Sequence, residues 1–126
     1  MHRSRLHALI IDVPQDAAGS ATDFWSAALG APPRHDADEP EFTNLPEVVP
    51  DLVTAIQSVD DAPRYHVDIE TDDVRAEVDR LLALGATPVS QWQECHVLRA
   101  PSGHLLCVIP VASDPAAFAA TARRWD

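Results

Sequence analysis

Apolar positions along the chain recur with two periods, and the alternation between them divides the sequence into strands and helices. Leu6-His7-Ala8-Leu9-Ile10-Ile11 opens as an extended run. Ser20 with Asp23 three residues on is a capping signal, and Ala21, Phe24, Trp25, Ala28 and Leu29 fall on one helical face before Gly30, predicting a helix over 20–29. Phe24 and Trp25 are assigned to its core side. Three extended runs follow, a poor one at 34–36, another at 41–45 and a better one at 52–59.

The order then repeats. Tyr65-His66-Val67-Asp68-Ile69-Glu70 matches the opening strand, and Leu84-Gly85-Ala86-Thr87-Pro88 matches Leu29-Gly30-Ala31-Pro32-Pro33. Asp72 and Asp73 supply an N-cap, Val74, Val78, Leu81 and Leu82 make the apolar stripe, and Gly85 stops a helix predicted over 73–84. Arg75 with Asp79 and Glu77 with Arg80 read as a solvated face of opposite charges. Extended runs follow at 87–93, 95–100 and 105–111, the last two joined through the turn signal Pro101-Ser102-Gly103. Asp114-Pro115 opens a terminal helix over about 115–124. Each half therefore reads β-α-β-β-β, with modules at about 5–59 and 63–111, an α+β domain. The ferredoxin-like order is disfavoured, because three extended runs rather than two separate the first helix from the second module.

Composition narrows the class. A chain of 126 residues, 46% of them hydrophobic, suffices for one domain with its own core. Its 20 acidic against 9 basic side chains leave a formal net charge of −11, which repels phosphate backbones and makes nucleic acid a poor partner. Apolar runs such as Ala8 to Ile11 fall far short of the roughly 20 residues that span a bilayer. The basic start, Met1 to Arg5, meets Asp12 too soon to leave a signal-peptide core, so the expected location is cytoplasmic. Cys95 and Cys107 form neither a disulfide framework nor a repeated zinc pattern. No GxGxxG or Walker pattern implies a nucleotide.

Phe24-Trp25-Ser26-Ala27-Ala28-Leu29-Gly30 resembles the FW-x-x-x-LG signature of the glyoxalase-like branch of the vicinal oxygen chelate superfamily. His66 to Glu70, the run Asp72 to Leu81, Leu84-Gly85-Ala86, and Pro101-Ser102-Gly103-His104-Leu105-Leu106-Cys107 are similar to that family's second module. The resemblance covers roughly residues 5 to 111. It implies paired β-α-β-β-β modules whose mixed sheet is cupped, a fold shared with bleomycin-resistance-like proteins, usually as a homodimer holding a small molecule. Metal-dependent members add a divalent ion. Because lyases, isomerases, dioxygenases and binding proteins share this fold, the resemblance does not fix the reaction.

By the same resemblance, ligand positions fall on His7, Gln57, His66 and Cys107. That set holds two imidazoles but no carboxylate, unlike the oxygen cage of magnesium or the two-His, one-carboxylate set of non-haem iron. Zinc at His7, His66 and Cys107 is chemically admissible, but the set favours no metal. Alternation places Tyr65, Val67 and Ile69 toward the helix and leaves His66, Asp68 and Glu70 on the cup face, with His7, Leu9 and Ile11 expected beside them. Asp68 and Glu70 are the candidate general bases. Pairing Ala100 with Leu105 across the turn would set Cys107 opposite Leu98 and bring His96 into the cup, while Trp92 is a candidate to close it. His104 is expected in solvent. Two functions follow: a small-molecule binding protein without a full metal site, its acidic face suited to a cationic or aromatic ligand, or a metal-dependent lyase or isomerase acting on adjacent oxygens.

Overall fold

The computed structural model describes residues 1–126. The first module runs β1 (His2–Pro14), a single 3-10 turn (Gln15–Ala17), α1 (Ala18–Leu29), β2 (Arg34–His35), β3 (Phe42–Asn44) and β4 (Val53–Val59). The second runs β5 (Arg64–Thr71), α2 (Val74–Ala83), β6 (Thr87–Trp92), β7 (Cys95–Arg99) and β8 (Leu105–Pro110), followed by α3 (Pro115–Thr121) and β9 (Arg123–Trp125). The expected β-α-β-β-β order is present twice. Strands β1 and β4 pair in parallel, as do β5 and β8, while the hairpin strands pair antiparallel. The class is α+β.

The chain separates into two compact units, Met1–His7 with Val67–Asp126, and Ala8–His66. In the first, the strand order β5-β8-β7-β6 carries α2 on one face. Val67, Ile69, Leu98, Leu106 and Val108 pack there against Val74, Val78, Leu81 and Leu82, the stripe predicted for α2. Asp73 caps α2 by accepting from the backbone N–H of Ala76 at 3.0 Å. The predicted terminal helix is shorter than expected. It ends at Thr121, and Arg123–Trp125 instead pairs antiparallel with His2–Ser4. Trp125 donates its Nε1–H to Ser4 Oγ at 2.8 Å, and the Arg80 guanidinium lies 3.8 Å from the centre of its ring. Those contacts outweigh the helical propensity of the preceding alanines.

Glu77 corrects the reading of α2's polar side as solvated. It has no exposed surface, and its carboxylate meets His2 Nε2 at 2.8 Å and the Arg80 guanidinium at 2.8 and 2.9 Å. The partner that buries it comes from the chain's second residue, which helical spacing cannot reveal. Burial alone would raise its pKa, but bonds from Arg80, Ser4 and His2, with the Arg80 charge, hold it down at about 2.

In the second unit the order is β2-β3-β4-β1. Ile11 and Val13 pack with Ala31, Leu45 and Ile56, against Ala18, Ala21 and Trp25 of the α1 side. Ala8, Ile10 and Ala55 form a second cluster with Phe42. For Ile11 this reverses the expected phase, which had set it away from the helix. A run that is apolar on both faces contains no phase signal, and the parallel pairing of Ile11 with Ile56 decides it instead. Helix α1 starts before Ser20, whose hydroxyl donates back to Ala17 O rather than capping, and it stops at Gly30 in the left-handed region (φ 67°). Trp25 packs as expected, but Phe24 does not: it stands edge-on to Trp25 and is 62% exposed.

Acid should expose the role of Glu77. Its folded-state pKa lies below the ordinary 4.5, so its stabilisation is complete above that value and is lost as pH falls toward about 2. Glu77→Gln should remove about 3 kcal/mol of the difference in stability between pH 6 and pH 2. Denaturant melts of both proteins across that range measure it; parallel pH profiles would contradict the assignment.

Candidate functional site

With Val67 and Ile69 packed under α2, alternation along β5 leaves His66, Asp68 and Glu70 on the opposite face, as expected. In the parallel β5–β8 pair, Asp68 is opposite Cys107 and Glu70 opposite Ile109. The β7–β8 hairpin is one residue out of the expected register. Ala100 N–H donates to His104 O at 2.8 Å, and Cys107 is opposite Val97 rather than Leu98. A slip of one flips every side chain of β7. His96 therefore lies opposite the fully buried Val108, on the α2 side, where with Val74, Val78, Gln91 and Glu94 it borders an open groove of about 410 Å³. It is absent from the face of Cys107, which corrects its placement in the cup.

Three of the candidate residues come together. His66, Asp68 and Cys107 bring one donor atom each within 4.8 Å of one another, His66 buried and the other two half-buried. His7 is not among them; its Nδ1 lies 3.5 Å from Glu70 Oε1. Gln57 is half-buried on β4, opposite Asp12 of β1 and Phe42 of β3. Trp92, at the end of β6 opposite Cys95, is 74% exposed. His104 is exposed in the hairpin turn, its Nδ1 2.9 Å from Ser102 Oγ.

Glu70 is an anchor in this arrangement. It has no exposed surface and accepts from Arg5 Nε at 2.7 Å, Ser113 Oγ at 2.7 Å, and the backbone N–H groups of Ala112 and Ser113 at 2.9 and 3.0 Å. Burial by itself would raise its pKa; the bonds from Ser113, Arg5 and Ala112 overcome that and place it at about 2. A carboxylate so saturated holds strands together and is a poor acceptor for a further proton.

Sequence reasoning missed Asp12 and Arg64. Asp12 is 1% exposed on β1, and its Oδ2 lies 2.6 Å from His66 Nδ1 and accepts from Arg64 Nε at 3.1 Å. Its Oδ1 is buried without a hydrogen-bond partner. The available signal was an acidic residue inside the apolar run Ala8 to Val13, on the face shared by Ala8 and Ile10.

The imidazole, carboxylate and thiol of His66, Asp68 and Cys107 fit a borderline-soft divalent ion such as zinc, and do not fit a hard cation that requires an all-oxygen cage. Tetrahedral zinc holds its ligand atoms about 3.5 Å apart, so small side-chain rotations would close the group around it. The Asp12 carboxylate at Nδ1 supplies the outer bond that ligating histidines commonly make.

The chain belongs to the family described as "Glyoxalase-like domain", whose model matches residues 8–109. No curated protein matches it. Among solved structures it is similar to a hypothetical protein of Bacillus halodurans C-125, with 12% identity and a TM-score of 0.59 over 88% of this chain and 96% of that one. It is also similar to methylmalonyl-CoA epimerase of Mycobacterium tuberculosis, with 15% identity and a TM-score of 0.51 over 89% of this chain and 91% of that one. A xylose isomerase-like TIM barrel/4-hydroxyphenylpyruvate dioxygenase fusion protein matches at 19% identity and TM-score 0.59, over 86% of this chain and 20% of that one. At these identities the likeness concerns the fold. No helix is long and apolar enough to cross a membrane.

The anchoring role of Glu70 is open to a direct check. Glu70→Ala leaves Arg5 buried without its carboxylate and should cost about 3 to 5 kcal/mol in a denaturant melt, whereas Asp68→Asn should cost under about 1.5 kcal/mol. Equal losses would contradict the division of roles.

Proposed function

We propose that this glyoxalase-like protein binds a small organic molecule through an oxygen atom, at a divalent metal site made by His66, Asp68 and Cys107. The observation that supports this reading is the convergence of those three donor types within 4.8 Å. It adds Asp68, the carboxylate that the set implied by the resemblance, His7, Gln57, His66 and Cys107, lacks. Bound there, zinc would polarise an oxygen of the ligand as a Lewis acid, the chemistry expected of a lyase or isomerase acting on adjacent oxygens. His66 and Cys107 would hold the ion, and Asp68 would complete the set and offset its charge. Glu70 is assigned no part in proton transfer, since four donors already occupy it.

The metal-free binding protein is the competing reading. Its acidic-face argument for a cationic ligand is weakened by two pairings: Arg5 neutralises Glu70, and Arg64 shares Asp12 with His66. A homodimer is part of the proposal, as the resemblance to the family implies.

Protein purified without a histidine tag, equilibrated with zinc and dialysed, should retain about one equivalent by elemental analysis. His66→Ala should retain none. Cobalt substitution should give a near-ultraviolet thiolate charge-transfer band that Cys107→Ser abolishes. A wild-type protein that stays empty, while small aromatic or cationic compounds raise its melting temperature, would favour the metal-free reading.

A further inference from the structure

We infer that Asp12 is the positioning residue of the site: its carboxylate fixes the tautomer and plane of the His66 ring, so that the ring presents Nε2 to a ligand. This rests on the reading of His66 as a metal ligand. Asp12 is 1% exposed on a strand whose flanking residues, Ile11 and Val13, are core. Nothing about burying an apolar strand calls for a carboxylate there, and its presence is costly unless charge partners meet it.

Two partners do, both on Oδ2. His66 Nδ1 lies at 2.6 Å, the short distance of a charge-assisted bond, and Arg64 Nε donates at 3.1 Å. Arg64 is itself steadied by Asp61, which takes its Nη1. The arginine therefore shares the carboxylate and limits its rotation. A carboxylate can only accept, so the nitrogen facing it must carry the proton. The ring is then an Nδ1–H imidazole, in which Nε2 bears the lone pair that a metal requires. The second oxygen, Oδ1, is buried without a hydrogen-bond partner. That unsatisfied oxygen calls for an explanation that packing alone does not give.

Sequence proximity carries none of this. Asp12 and His66 are 54 residues apart and meet only because β1 and the start of β5 lie side by side in this unit.

The test uses the full-length protein, with zinc alone as the probe. Nitrogen-15 NMR of histidine-labelled wild-type protein, metal-free near pH 8, should show His66 as the Nδ1–H tautomer. Asp12→Asn should mix the two tautomers and weaken zinc binding about 10- to 100-fold in competition with a chromophoric chelator, still saturating near one equivalent. Arg64→Gln, which leaves the His66 bond in place, should change affinity by less than about 3-fold. Unchanged tautomer and affinity in Asp12→Asn would overturn the inference while leaving His66 as a ligand. A wild-type protein that binds no zinc would overturn the ligand reading itself. Should Asp12→Asn fail to fold, the wild-type spectrum decides: an Nε2–H tautomer for His66 refutes the positioning role.

Discussion

Glu70 has no contact with solvent, and it ties β5 to the start of β1 and to the chain just beyond β8. Donors reach it from Arg5 on β1 and from Ala112 and Ser113 beyond the end of β8. A buried carboxylate that lost any of these would be left with an uncompensated lone pair in a low-dielectric interior. Each of the four bonds therefore supports the others. Asp68 lies two residues before Glu70 on β5, and Cys107 lies two before Ile109, the residue paired with Glu70 on β8. Once the anchor closes, the positions of Asp68 and Cys107 are fixed to within a rotamer. Arg5 extends the same hold to α3, reaching Ala117 O at 3.1 Å and Thr121 Oγ1 at 2.7 Å, with its guanidinium 5.9 Å from the Phe118 ring centre.

The existence of the helices and the order of elements along the chain were legible because they rest on local signals. The α2 stripe, the Asp73 cap and the positive-φ glycines at 30 and 85 each declare themselves within a few residues. What was not legible depends on partners far along the chain. Ala8 to Ile11 is apolar at every position, so its phase is set by β4 and not by its own pattern. Pro101-Ser102-Gly103 announces a turn without saying which residues close it, and the one-residue difference moved His96 to the other face. Glu77 looked like half of a surface pair until His2, 75 residues away, covered it. Strand β9 had no strand signature beyond its last aromatic residue.

The site divides along the same line. His66 and Asp68 were found from alternation within one strand, which is a local property. Asp12 was not, because its contact with His66 is created by strand pairing. The chain's net charge was a poor guide to this face. Arg5, deeply buried, and Arg64, partly exposed, are spent on Glu70 and Asp12, so the excess of acidic groups is carried elsewhere on the surface.

Cys107 decides how far the family likeness can be taken toward chemistry. Structures that share the fold at 12 to 19% identity leave the reaction open, so the donor set has to be judged from this chain alone. A cysteine on an interior strand ordinarily packs as a small apolar group. Here it is opposite Asp68 on one side and Val97 on the other. Packing alone would be served by valine, and a valine beside Asp68 would leave that carboxylate with one fewer polar neighbour. A thiol in the same place gives the face a soft donor next to a hard one. For the proposed metal site, softness at that position would favour zinc over magnesium or calcium.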